Sequence, residues 1–235
     1  MDDTHALWIS ARDNAVWAPH GIASLAATHW LDATERRFDG IPGIWCADDE
    51  SAVGRELPWE VRLRPEEQTR CGELALRAKG RAGSVALRVL DPAAAARRGI
   101  ARIERAEFSP SRRVAGGFTP SSRAVVAESV DGHHTETQYH GIVSFVLDGL
   151  EFELTVQREG DGSLFAAFAD ATSGVQSYRF RFLRMDGPDA DGRVELDFNR
   201  AYLPPCAFSD HYACVFPPPG NRWTVPIAAG ELVVR

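Results

Sequence analysis

Five residues in the last third of the chain bring charge, hydrogen-bonding capacity and aromatic surface together: Arg181, Asp197, Asn199, Tyr202 and Trp223. Asp197 and Asn199 stand in V-E-L-D-F-N-R, alternating with Val194, Leu196 and Phe198. On a strand, that spacing puts the carboxylate and the amide on one face and the apolar residues on the other. Arg181, in R-F-R-F-L-R, could then fork onto Asp197 or onto an anionic ligand. Two readings of the trio stay open: a structural Arg–Asp pair with Asn199 holding a loop, or a ligand site. Tyr202-Leu203-Pro204-Pro205-Cys206 and Phe216-Pro217-Pro218-Pro219 are stiff, extended segments, because proline fixes φ and removes a donor. They either wall a pocket lined by Tyr202 and Trp223 or cover a sheet edge.

Cysteine and histidine offer a second chemistry. Cys206 and Cys214 are eight positions apart with His211 between them, a spacing wider than that of zinc knuckles, so no metal site is expected. A nucleophilic Cys206 needs a base, and His211 is the nearest in sequence. Packing thiols, or a disulfide in an oxidising environment, is the plainer reading. His133-His134 and His140 flank a strand start, and the doublet, which follows an Asp-Gly turn, reads as exposed. Glu231, in A-G-E, either reaches back to an arginine or caps a turn. No P-loop, G-x-G-x-x-G, H-E-x-x-H or G-x-S-x-G is present, so the motifs name no cofactor.

Alternating apolar residues supply most of the scaffold. Trp59, Val61 and Leu63; Leu74 and Leu76; Val85, Leu87 and Val89; Leu164, Phe165 and Phe168; Tyr178, Phe180 and Phe182; and Val194, Leu196 and Phe198 each predict a strand. The firmest element is G-I-V-S-F-V-L, Asp148-Gly149, L-E-F-E-L-T-V-Q. Asp-Gly between alternating strands predicts a type I′ hairpin pairing Leu147 with Leu150, Phe145 with Phe152 and Val143 with Leu154, all six on one face. The chain closes on W-T-V-P-I, a further strand. Residues 1–20 read as a short helix or an arm. Ile22, Leu25, Ala26, His29 and Trp30 predict a helix from Gly21 to near Phe38, stopped by Gly40 and Pro42. Residues 43–56 read as polar loop around Ile44, Trp45 and Cys46. In 91–123 an alanine-rich turn precedes a Ser/Pro/Gly-rich exposed loop. About nine short strands with helix at the N-terminus predict a mainly β (α+β) fold: an antiparallel barrel or sandwich. Residues 1–56 form a helical arm and 57–235 the β domain.

Composition bounds the function. With 235 residues, 44% hydrophobic and 25% charged, the chain is an ordinary globular length and mix. A net charge of −7 argues against a nucleic-acid partner. Lys79 is the one lysine among 26 basic residues, which reads as codon bias. The acidic N-terminus and the lack of a long apolar run predict no leader and no membrane span, hence a cytoplasmic chain with free thiols.

The blocks D-A-T-S-G (170–174), R-F-L (181–183), D-F-N-R-A-Y-L-P-P-C-A-F (197–208), C-V-F-P-P-P-G-N-R-W (214–223) and I-A-A-G-E (227–231) resemble a bacterial and archaeal family known as domain of unknown function 1684. F-D-G-I-P-G-I-W (38–45) and H-G-I-V-S-F-V-L-D-G (140–149) are similar to family segments. Phe182 stands where the family tends to have Tyr, Leu203 replaces an Asn, and Val215 replaces a Pro. The resemblance implies a shared fold and a site in the terminal third; it brings no reaction with it. Three functions follow. The first is a small-molecule-binding β domain preferring an anionic ligand, its pocket built by Arg181, Asp197, Asn199, Tyr202 and Trp223. The second is a hydrolase using Asp197 as base or Cys206 as nucleophile. The third is a structural or interaction module, favoured if the polar groups of 197–223 satisfy one another.

Overall fold

The computed structural model of the chain describes residues 3–235. They form two compact units, residues 11–100 and residues 101–235, the latter including the N-terminal stretch to Ser10. The expected division at 56/57 is not where the chain parts. Hydrogen-bonded strands straddle it, since Ala52 pairs with Leu63 and Gly54 with Val61.

Helix α1 (Asp3–Trp17) begins in the larger unit and ends in the smaller. Its sequence holds neither Gly nor Pro until Pro19, and Asp3 sits in the first turn, where the helix dipole favours a carboxylate. The helix expected from Gly21 to near Phe38 is absent. A short 3₁₀ turn, Ile22–Ser24, leads instead into β1 (Leu25–Trp30). The apolar spacing there suits either period, and a sheet partner decided it. The polar loop expected at 43–56 is a hairpin of β2 (Ile44–Asp48) and β3 (Ser51–Arg55), followed by β4 (Val61–Leu63). Strands β5 (Gln68–Cys71), β6 (Leu74–Arg81) and β7 (Ser84–Leu90) join β1 in a sheet ordered β1-β7-β6-β5. Fully buried Trp45, Leu76 and Leu87 lie in this unit's core. A one-turn helix, α2 (Ala94–Arg97), completes it.

The larger unit contains β8 (Ile103–Arg105), β9 (Arg113–Glu128), β10 (His134–Leu147), β11 (Leu150–Arg158), β12 (Leu164–Phe168), β13 (Arg181–Met185), β14 (Arg193–Asp197) and β15 (Glu231–Val234). Fifteen strands thus stand among the described residues, more than the nine the sequence suggested. Six form one antiparallel sheet, ordered β13-β12-β11-β10-β9-β14, whose edge strands curl into contact as a half-barrel. The Asp148-Gly149 hairpin forms in the predicted register, with φ of 52° and 78° at its two turn residues. Of the six residues assigned to its inner face only Leu150, beside the turn, stays exposed.

Two other expectations change. The Ser/Pro/Gly-rich stretch read as an exposed loop is mostly β9, because β10 supplies a complete hydrogen-bonding partner, with Pro120 at the irregularity in register. The closing W-T-V-P-I is irregular, and the last strand is β15, paired with β8. Inside the curl, Val143, Phe145, Leu154, Leu164, Phe168, Leu183, Leu196 and Phe198 pack as one core. Side chains fill this barrel, as is usual at this size.

Candidate functional site

The expected fork between Arg181 and Asp197 is not made. Alternation with Phe180 and Phe182 would turn Arg181 away from the core. Instead it points inward with Leu183 and Met185 and is fully buried. The reason is a buried carboxylate. Asp170 receives the Arg181 Nη2 donor, the Thr172 amide at 2.6 Å and the Thr172 hydroxyl at 2.6 Å. The guanidinium also donates to the carbonyls of Ala229 and, at 2.8 Å, Ile227, and lies 5.1 Å from the centre of the Phe168 ring. Burial lowers the Arg181 pKa while Asp170 opposes the shift. One residue thereby fastens the I-A-A-G-E segment to β12 and β13.

Asp197 closes on other partners. Its Oδ1 accepts the Asn199 amide at 3.1 Å and the Asn199 side chain at 2.8 Å, and its Oδ2 accepts Arg113 Nη2 at 3.1 Å. Arg200 Nε lies 3.4 Å from the same oxygen. Asn199 pairs doubly with the Ser109 backbone, accepting its amide at 2.9 Å and donating to its carbonyl at 3.0 Å. A carboxylate so occupied is poorly placed as a general base. Glu231, fully buried, accepts the Leu203 amide at 2.8 Å and pairs with Arg105 at 3.1 Å. Of its two expected roles, it reaches back to an arginine.

Tyr202 exchanges backbone hydrogen bonds with Phe182 and meets its ring edge-on at 5.7 Å. Trp223, half-buried, packs against Phe152 at 5.2 Å and Phe168 at 5.5 Å, within the core. Of the five residues assigned to one pocket, only Asp197 and Asn199 meet; Arg181, Tyr202 and Trp223 each engage other partners. Cys206 is buried beside Cys214. Sequence reasoning passed over Asp170 and Asn221 as site-forming groups. Asn221, fully buried, bridges β11 and β12 by accepting the Thr155 amide and donating to the Thr155 carbonyl, both at 2.8 Å, and to the Ala167 carbonyl at 2.9 Å. Both lie in the shared sequence blocks, which was the available signal.

The space under the proline loops is a cavity of about 150 Å³, lined by Val125, Ala127, Tyr139, Phe216, Pro218 and Arg222 among others. That is well below the ~300 Å³ at which ligand pockets begin. Burial pushes the Tyr178 phenol up to about 12, and Tyr139, on the wall of this cavity, moves the same way for the same reason. A phenol that holds its proton longer when folded contributes stability below its unfolded value, near 10, and loses it as pH rises toward 12. Urea midpoints should therefore fall between pH 10 and 12, with a shallower fall in Tyr178→Phe.

A larger concavity, of about 780 Å³, opens on the outer face of the six-stranded sheet, lined by Ala115, Gly116, Gly117, Ser144, Val146, Glu151, Glu153 and Arg193 together with Phe145 and Phe152. Its geometry follows from register. Glu153 pairs with Ser144, Ser144 with Gly117, and Gly117 with Arg193. A carboxylate and a guanidinium thus end one row across four strands, with the two smallest residues between them. Three interstrand steps place the Cα atoms of the end residues about 14 Å apart. Among the described residues, the Arg193 guanidinium makes one ion pair, an exposed one with Asp191 at 3.4 Å, which water largely screens.

No curated protein matches the chain. Among solved structures, an uncharacterized protein of Haloarcula marismortui, determined by NMR in solution, is 31% identical with a TM-score of 0.48, the match covering 58% of this chain and 78% of that one. The family model described as "Protein of unknown function (DUF1684)" matches residues 99–232, a span that nearly coincides with the larger unit and contains every buried polar contact traced above. The chain belongs to that family.

Proposed function

We propose that the larger unit is a small-molecule-binding β domain whose ligand lies on the outer face of the six-stranded sheet and carries opposite charges at its two ends. The supporting observation is the row Glu153–Ser144–Gly117–Arg193. The guanidinium takes an anionic group, as the sequence suggested for this chain's ligand. Glu153, with Glu151 nearby, takes a cationic one, and the small floor admits the body between them. The shared sequence blocks then hold the scaffold rigid instead of touching ligand. Cytoplasmic residence belongs to this reading and is supported by four cysteines that form no disulfide among the described residues. Among the described residues, no helix is long and apolar enough to cross a membrane.

Gly117 gives a clean test. A Cβ built there meets nothing within 4 Å, so the Gly117→Leu side chain starts into the gutter unobstructed. Free amino acids and dipeptides, screened on the full chain by thermal shift and then calorimetry, should include binders. Gly117→Leu should abolish that binding at an unchanged Tm. Arg193→Ala should weaken it roughly tenfold, the scale of a hydrogen bond to a charged group. Binding that survives both substitutions would refute the assignment, as would a uniformly silent screen.

A further inference from the structure

Cys206 and Cys214 come from two stiff segments that other contacts already hold together. The Cys206 amide donates to the Cys214 sulfur at 3.4 Å. The Cys206 carbonyl accepts the Tyr178 hydroxyl at 3.0 Å, and the Cys214 carbonyl accepts the Val130 amide at 2.9 Å. Phe180, Tyr178, Phe182, Tyr212 and Phe216 enclose the two thiols. Arg179 lies 5.5 Å from the Tyr178 ring centre and 5.5 Å from that of Phe216, at the rim of the enclosure. Between the cysteines the chain turns back on itself, with Tyr212 donating to the Ser209 carbonyl and Asp210 and His211 exposed at the apex.

We infer that Cys206 and Cys214 are a dithiol that hydrogen peroxide converts reversibly into an intramolecular disulfide. The inference is independent of the sheet-face reading. Of the pair, Cys206 is the attacking group. A hydrogen bond from the Cys214 thiol draws its pKa down, with Arg179 acting in the same sense. Cys71, whose thiol burial pushes up, is an internal control. The Cys206 thiolate attacks one peroxide oxygen. An S–O bond forms, the O–O bond breaks, and the departing hydroxide takes up the proton released by the thiol. Cys206 is then a sulfenic acid, and one water has formed. The Cys214 sulfur attacks Cys206. The S–S bond forms, the S–O bond breaks, and the hydroxyl leaves with the Cys214 proton as a second water. Two thiols and one peroxide give one disulfide and two waters.

Both cysteines fall in one tryptic peptide, residues 201–222, since Arg200 and Arg222 bound a stretch free of Lys and Arg. Folded protein treated with one equivalent of hydrogen peroxide should yield that peptide about 2 Da lighter, with two thiols lost and both recovered on adding dithiothreitol. Cys214→Ser should instead trap the Cys206 sulfenic acid as a dimedone adduct, which the parent chain should not accumulate. Three results would overturn the inference. One is first oxidation at Cys46 or Cys71 with peptide 201–222 unchanged. Another is a gain of oxygen on that peptide in place of the loss of two hydrogens. The third is a disulfide that appears only in urea.

Discussion

Arg181→Met is expected to destabilise the larger unit by about 3–5 kcal/mol, because removing one partner of a buried ion pair leaves the other charge stranded. Asp170 would keep its Thr172 donors but lose its counterion in a fully buried site. The Ala229 carbonyl would lose its Arg181 donor at the same stroke, while that of Ile227 would keep the Ala229 amide. Asp170→Asn should act through the same contact. The double variant should therefore fall well short of the sum of the singles, since contacting partners do not add. Equilibrium urea unfolding, with m-values checked for constancy, measures all three. A loss under about 1 kcal/mol in Arg181→Met would mean that water reaches the pair and that the lock is not sealed.

Gly230→Ala should be nearly as costly, though it adds only a methyl group. Gly230 has φ of +70°, and a Cβ built on it would lie 2.4 Å from the Ala201 carbonyl oxygen and 2.8 Å from that of Phe198. The left-handed backbone alone costs a side chain roughly 1–2 kcal/mol. Shifting backbone to relieve the contact brings the total to about 2–5 kcal/mol, since overpacking adds about 1–3. The displaced backbone carries Glu231, whose carboxylate holds Leu203 and Arg105. Gly230→Ala should therefore weaken the β8–β15 pairing first, seen as faster hydrogen exchange at the Ala106 amide, which donates to Gly230. Unchanged exchange there together with an unchanged urea midpoint would refute this account of A-G-E.

The two residues share a lesson about the motif blocks. Asp170, Arg181, Asp197, Asn199, Asn221 and Glu231 look like chemistry in one dimension because they are polar and concentrated. In three dimensions each satisfies a backbone or side-chain group that burial would otherwise leave without a partner, and a buried unpaired group is expensive. The Arg181–Asp197 expectation failed for a specific reason. Alternation with Phe180 and Phe182 suggested an outward Arg181, and only the position of Asp170 on the inner side made an inward guanidinium tolerable. The gutter was harder to see. Glu153, Ser144, Gly117 and Arg193 come from four strands, and nothing in one strand's pattern marks which residues of the others stand beside it.

By itself the sequence determined the mainly β character, the family, and the Asp148-Gly149 hairpin down to its pairing, because period-two alternation and a two-residue turn are local and leave one register. Tertiary structure decided the rest. Leu25–Trp30 became strand because β7 was there to pair with it, and the unit boundary fell at 100 because strand pairing crosses residue 56. The orientation of Arg181 and the opening of a site on the sheet's outer face likewise depend on partners distant along the chain. Such contacts form only once loop closure brings those partners together, so no window of sequence contains them.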